Sequence, residues 1–278
     1  MKKSKIIKLL SGILCVLIVA AVVLVSLNLD NLLPEPIFGI FRPMPTPNED
    51  GTTSTTHPGY YPLEPPEDLP SSVVIPTEKD PQTGKESVSF PCRVPGDDLV
   101  IHRLAPYDGM FVEDGTNATV EKVAMLLVSN EGDYPIEYAQ ISVQCGDQTL
   151  RFDISALPAG EKLVVQEKTG QILVNDVAQR ASATVVRRAN LDMSADQVEV
   201  TDNGDNTLTI RNLTKETIPT VRLFYKYYME NEDMFVGGIA FTVRITRLAG
   251  ESSVTLQPSH YTSQSGRVVM VLTYDTEV

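Results

Sequence analysis

The chain has 278 residues, room for one or two domains with a sizeable core, and carries 23 basic against 36 acidic residues for a net charge of −13. That balance argues against nucleic acid or an anionic lipid surface as a partner, since both demand basic patches. No H-E-x-x-H, CxxC, G-x-S-x-G or P-loop spacing occurs, so the chain bears no signature of the enzymes those motifs mark.

The N-terminus divides the charge unevenly. Lys2, Lys3, Lys5 and Lys8 precede an uncharged run from Leu9 to Leu29, and no acid occurs before Asp30. At 1.5 Å per residue that run reaches about 31 Å, the depth of a bilayer's hydrocarbon core. It is longer than the apolar region of a cleaved signal peptide and ends without an A-x-A site. Lipidation at Cys15 is disfavoured by the bulk of Leu14. The run is therefore read as a single-pass transmembrane signal anchor, residues 9–29, behind a basic cytoplasmic tail, residues 1–8. The positive-inside rule then places everything after Asp30 outside the cell membrane. Setting the four lysines aside leaves 19 basic residues against 36 acids, a net of −17 that suits a soluble exterior protein.

Thirteen of the 19 prolines fall between Pro34 and Pro91. Proline removes amide donors and fixes φ, so residues 30–96 are expected to form a disordered, semi-extended stalk that supplies no sheet ladder. Past Asp97 the hydrophobic period becomes two. In "AQISVQC", Ala139, Ile141, Val143 and Cys145 share one face, and "FTVRITR" repeats the pattern with Phe241, Val243 and Ile245. "KVAMLLV" (Lys122–Val128) and "RVVMVLTY" (Arg267–Tyr274) are apolar on both faces, as central strands are. "TDNGDNT" between "VEV" and "LTI" predicts a hairpin turn at Asp202–Asn206 rather than a Ca²⁺ loop, because the later bidentate acid is missing.

One pattern occurs twice. "LLVSNEGDYPIEYAQISV…LPAGEKLVV" and "LTIRNLTKETIPTVRLFY…RLAGESSVTL" each run strand, Asn, polar turn with Pro, alternating strand, Ala-Gly-Glu turn, strand. Asn130 and Asn212 are expected to tolerate left-handed backbone at the strand ends, and Gly160 and Gly250 to supply positive φ at the reversals. The second copy is longer by eight residues in or near "KYYMENEDMFVGG". The fold expected is all-β, with one β-sandwich at 97–188 and another at 189–278.

This succession resembles the immunoglobulin-like extracytoplasmic modules of Gram-positive bacterial surface proteins, the FxLYD-domain group in particular. The tetrapeptide that names the group is replaced by "VRLFYKYY" in one copy and "ISVQCGDQ" in the other. The resemblance implies two tandem immunoglobulin-like modules on an anchored protein without enzymatic activity.

The remaining chemistry is sparse. His57, His102 and His260 are isolated in sequence from spaced ligands, so neither metal nor cofactor is expected. Cys92 and Cys145 are candidates for a disulfide; the alternative is a reduced pair with Cys145 as a small core residue. In the second copy, Val221, Leu223, Tyr225 and Tyr227 share one face of a strand, and Arg222, Phe224, Lys226 and Tyr228 the other. If the first face is core, Phe224, Lys226 and Tyr228 form a binding edge, unless the neighbouring module covers them. Gly237-Gly238 permits a bulge or a close backbone approach. The function expected is non-enzymatic binding or assembly at the cell envelope, with a protein or cell-wall component as partner. The alternatives are an accessory or sensing subunit of a membrane complex and, less favoured, a hydrolase.

Overall fold

The computed structural model describes residues 56–58, 69–82, 84–187 and 196–276, and every regular element among them is a β-strand. The basic tail, the Leu9–Leu29 run and much of the Pro-rich segment lie outside the described residues; no described helix is long and apolar enough to cross a membrane. Before the first sandwich come β1 (Thr56–Pro58), β2 (Val73–Ile75), the small hairpin β3 (Glu78–Lys79) and β4 (Glu86–Ser87), and β5 (Cys92–Arg93).

The first sandwich contains β6 (Leu99–Met110), β7 (Thr119–Asn130), β8 (Ile136–Cys145), β9 (Gln148–Leu157), β10 (Lys162–Gln166) and β11 (Arg180–Arg187). One layer has the order β5-β6-β7-β10 and the other β2-β11-β8-β9. The period-two pattern sets which residues meet between them. Leu99, Ile101, Leu126, Val128 and Leu163 from one layer enclose a common core with Ala139, Ile141, Val143, Leu150 and Phe152 from the other.

The second half repeats the scheme with β12 (Val198–Asp202), β13 (Leu208–Asn212), β14 (Ile218–Met229), β15 (Met234–Leu248), β16 (Ser253–Leu256) and β17 (Gly266–Tyr274). Its layers are β12-β13-β16 and β17-β14-β15, so β6 to β11 and β12 to β17 correspond strand for strand. The expected Asp202–Asn206 hairpin joins β12 to β13. The expected boundary at 188/189 does not interrupt the fold, because β10 pairs in parallel with β15 through Leu163–Phe235 and Val164–Val236. One sheet, β17-β14-β15-β10-β7-β6-β5, runs through both halves, and all described residues belong to one compact unit.

The doubled asparagine has a different job from the one expected. Neither Asn130 nor Asn212 has positive φ; both are fully buried. The Asn130 amide donates to the carbonyls of Tyr134, Leu157 and Pro158, at 3.0, 3.2 and 3.0 Å. The Asn212 amide donates to those of Glu216, Leu248 and Ala249, at 2.8, 3.0 and 3.1 Å. Each Oδ1 accepts the amide two residues on, at Gly132 and Thr214. A single side chain thus satisfies the carbonyls of a turn and of the strand end opposite it, which a buried reversal requires. The left-handed residues sit instead at Ala156 and Arg247, equivalent positions with φ of 49° and 56°. Gly160 has the expected φ of +77°, but Gly250 does not have positive φ. Gly250 is needed for space: a Cβ there would sit 2.0 Å from the Lys215 carbonyl oxygen.

The expectation that the stalk supplies no sheet ladder fails at three places: β1 pairs antiparallel with β15, Thr56 opposite Ile245 and Pro58 opposite Val243, and the other two lie at its C-terminal end. β2 pairs with β11 and β5 with β6, while Ile75 and Val94 are buried. Pro70 and Pro76 flank β2 without entering it, so Val73, Val74 and Ile75 keep their amides and their β-branched bulk.

Candidate functional site

The long strand β14 faces two cores. Val221, Leu223, Tyr225 and Tyr227 lie in the core of the second sandwich, where Tyr225 stacks on Phe241 with ring centroids 5.9 Å apart and meets Tyr261 edge-on at 5.6 Å. Phe224 and Tyr228 point the other way into the core of the first sandwich, with Phe235, Ala240, Val269 and Met270. The proposed binding edge of Phe224, Lys226 and Tyr228 is therefore corrected: all three are at most 5 % exposed, Phe224 and Tyr228 because they belong to the first core, with the Arg267 guanidinium also lying 3.4 Å over the Tyr228 ring.

Lys226 sits at the centre of this interface. The register of β14 on β15 jumps between Tyr225 and Tyr227, leaving Gly237–Ala240 bulged opposite Lys226. Lys226 Nζ donates to the carbonyls of Gly237 at 3.1 Å and Gly238 at 2.6 Å. Just after β6, the buried Glu113 carboxylate accepts the amides of Gly238 at 2.7 Å, Gln166 at 3.1 Å and Ile239 at 3.3 Å. Burial pushes the Glu113 carboxyl up and the Lys226 ammonium down, and the charge of each partly offsets that shift in the other. Gln166 completes the arrangement: its side chain accepts from Val112 N at 2.8 Å and donates to Met110 O at 2.6 Å.

The Gly237-Gly238 pair does permit a close backbone approach, and the approaching strand is β9 of the same chain. A Cβ on Gly238 would lie 1.9 Å from the Asp153 carbonyl oxygen, and one on Gly237 2.5 Å from Val112 Cγ1. Ala240 N donates to Ser155 Oγ at 2.8 Å beside them. The connection after β6 also reaches into the second half, where Val112 joins the second core and Asn117 Nδ2 donates to the Tyr227 hydroxyl at 2.8 Å. Glu113 and Gln166 carried no local sequence signal; 125 residues separate Glu113 from Gly238.

The other candidate residues do not converge. Cys92 and Cys145 are free thiols, so the considered bridge is not formed. Burial pushes the Cys92 thiol up to about 11 and that of Cys145 upward too, which keeps both protonated and unreactive. His102 bonds to Ser129 Oγ at 2.8 Å, and His260 stacks on Phe241 with centroids 4.7 Å apart. Among the described residues no group of three His, Cys, Asp or Glu side chains is placed to hold a metal ion. The Asp202 carboxylate is occupied by the Tyr261 and Ser263 hydroxyls and the Gly204 amide. Compared with protein-family models, with curated proteins and with solved structures, the chain matches none.

Proposed function

We propose that this chain is a membrane-anchored, extracytoplasmic binding or assembly protein of a Gram-positive cell envelope, non-enzymatic, presenting two tandem immunoglobulin-like sandwiches. The observation that carries the reading is the pairing of an N-terminal lysine-flanked, 21-residue uncharged run with an all-β body built from one strand scheme used twice. The run suits a signal anchor, and the acidic remainder suits the outer face of a membrane. The strand order, with three strands of each half on one layer and three on the other, is compatible with immunoglobulin-like topology. The partner class is a protein or a cell-wall component, and Leu9–Leu29 holds the body at the surface.

Protease added to intact protoplasts should destroy a C-terminal epitope tag on the full chain while a cytoplasmic marker survives. Protection of the tag until the membrane is dissolved would reject the topology. In the same digest, the resistant fragment should begin before Val73, because β2 and β5 are laid onto the sandwich.

A further inference from the structure

The two halves differ at the edges formed by β11 and β6 in one and by β17 and β12 in the other. In the first, β2 lies antiparallel on the outer edge of β11, with Ile75 opposite Ala181 and Val73 opposite Ala183. β5 lies likewise on the outer edge of β6. Ile75 is 1 % exposed and belongs to the first core, so β2 closes the sandwich at that side. In the second half, β17 and β12 are the equivalents of β11 and β6. Among the described residues no strand pairs with the outer edge of either.

A cavity of about 460 Å³ lies between those two edges, lined by Val198, Val200 and Leu208 on one side and Tyr261, Val268 and Val271 on the other. The register shows what it corresponds to. Ala183 pairs with Ile141 of β8, and Val271 with the equivalent Leu223 of β14. Ala181 pairs with Val143, and Val268 with the equivalent Tyr225. The cavity therefore opens beside the two positions opposite which Val73 and Ile75 sit in the first half. Its mainly aliphatic lining, with Asp202 and Arg267 at the rim, and the edge of β17 left unpaired among the described residues together form the seat that β2 fills elsewhere in the same chain.

We propose that this groove is a binding site for an extended segment of a partner protein, added as an antiparallel strand on β17. The segment resembles Val73–Ile75: β-branched apolar residues at alternate positions, the one at the place of Ile75 dropping between the layers and the one at the place of Val73 partly covering the opening, with proline tolerated at either end. Main-chain hydrogen bonds to the edge supply affinity, and the cavity selects the side chains. The proposal deepens the binding reading above and supplies its site and partner chemistry; the protoplast digest tests location without reference to the groove, so the two fail separately.

The test uses the full chain in detergent micelles and a labelled synthetic peptide, Pro-Ser-Ser-Val-Val-Ile-Pro-Thr, the sequence of residues 70–77. Anisotropy should show saturable binding, and amide hydrogen exchange should slow along Gly266–Tyr274 while β11 is unchanged. A peptide with aspartate at the positions of Val73 and Ile75, or the Val268→Glu chain, should bind at least about tenfold more weakly. No saturable binding, equal binding of the aspartate peptide, or altered exchange in β11 from displacement of β2 would each overturn the proposal. If the chain is dimeric and the peptide releases monomers, the groove belongs to a second copy and the separate partner is ruled out. Should Val268→Glu fail to fold, the comparison of the two peptides on the unaltered chain still decides the matter.

Discussion

The first and second sandwiches use the same strand order but close differently. The first is sealed by its own preceding segment, with β2 and β5 on the two edges and Ile75 and Val94 in or against the core. The second has unpaired outer edges at β12 and β17 among the described residues, and its other side, the outer face of β14, is embedded in the first half. Fusion of the halves took away the aromatic face that the sequence offered for recognition, and the edges remained. In a repeat of this kind, the places where two copies differ in their neighbours say more about function than the places where they agree.

The largest test of that comparison concerns the join. Glu113→Gln leaves the Lys226 ammonium buried without its compensating charge, and Lys226→Met leaves the carboxylate so; each should cost about 3–5 kcal/mol in urea unfolding. The double variant should recover most of that loss, since two neutral side chains need no mutual compensation. If the pair locks the halves together, each single variant should also split one unfolding transition into two, the second sandwich melting first. Additive losses in the double variant would show that the two charges act independently.

A smaller effect sharpens the equivalence of the halves. Asn130→Ala and Asn212→Ala each strand carbonyls that a buried amide now satisfies, at a cost of about 2–3 kcal/mol. Asn130 should be slightly the more costly, because its Oδ1 accepts from the Arg187 guanidinium at 2.8 Å where that of Asn212 accepts from the neutral Thr214 hydroxyl at the same distance. A loss confined to one of the two would mean that the repeated hydrogen-bond pattern does not carry equal weight.

The smallest effect is a pH dependence confined to the second half. Burial holds the His260 imidazole below its ordinary value, so the native chain stays neutral there where the unfolded chain takes up a proton. Stability should therefore fall as pH drops below about 6.5, the unfolded histidine value, until the native group protonates as well. Melting temperatures across pH 5–8 should show a shallower slope for His260→Leu than for the unaltered chain. An unchanged slope would place the acid sensitivity elsewhere.

Much of this was legible locally. Alternation in "AQISVQC" and "FTVRITR" gave the strands and their inward faces, and the Asp202–Asn206 turn was legible because hairpin chemistry is confined to a few adjacent residues. The split of β14 into a Tyr225/Tyr227 face and a Phe224/Tyr228 face was legible for the same reason, since side chains alternate by geometry alone. What covers the second face was not legible, because it depends on a strand pairing between residues about seventy positions apart. The role of the asparagines was hidden for the same reason: their identity was visible, but the three carbonyls each one satisfies come from its own turn and from the end of a distant strand.

Short-range periodicity and charge were enough to fix the all-β class, the lysine-flanked uncharged run, the doubled strand scheme and the two faces of the alternating strands. It took the packed fold to establish that residues 73–75 belong to the body, that Cys92 and Cys145 stay apart, that Glu113 meets the bulge facing Lys226, and that no described strand pairs with the outer edges of β12 and β17. Those outcomes depend on which strands share a ladder. Ladder partners are chosen by burial and backbone hydrogen bonding across the whole chain, which no local stretch of residues encodes.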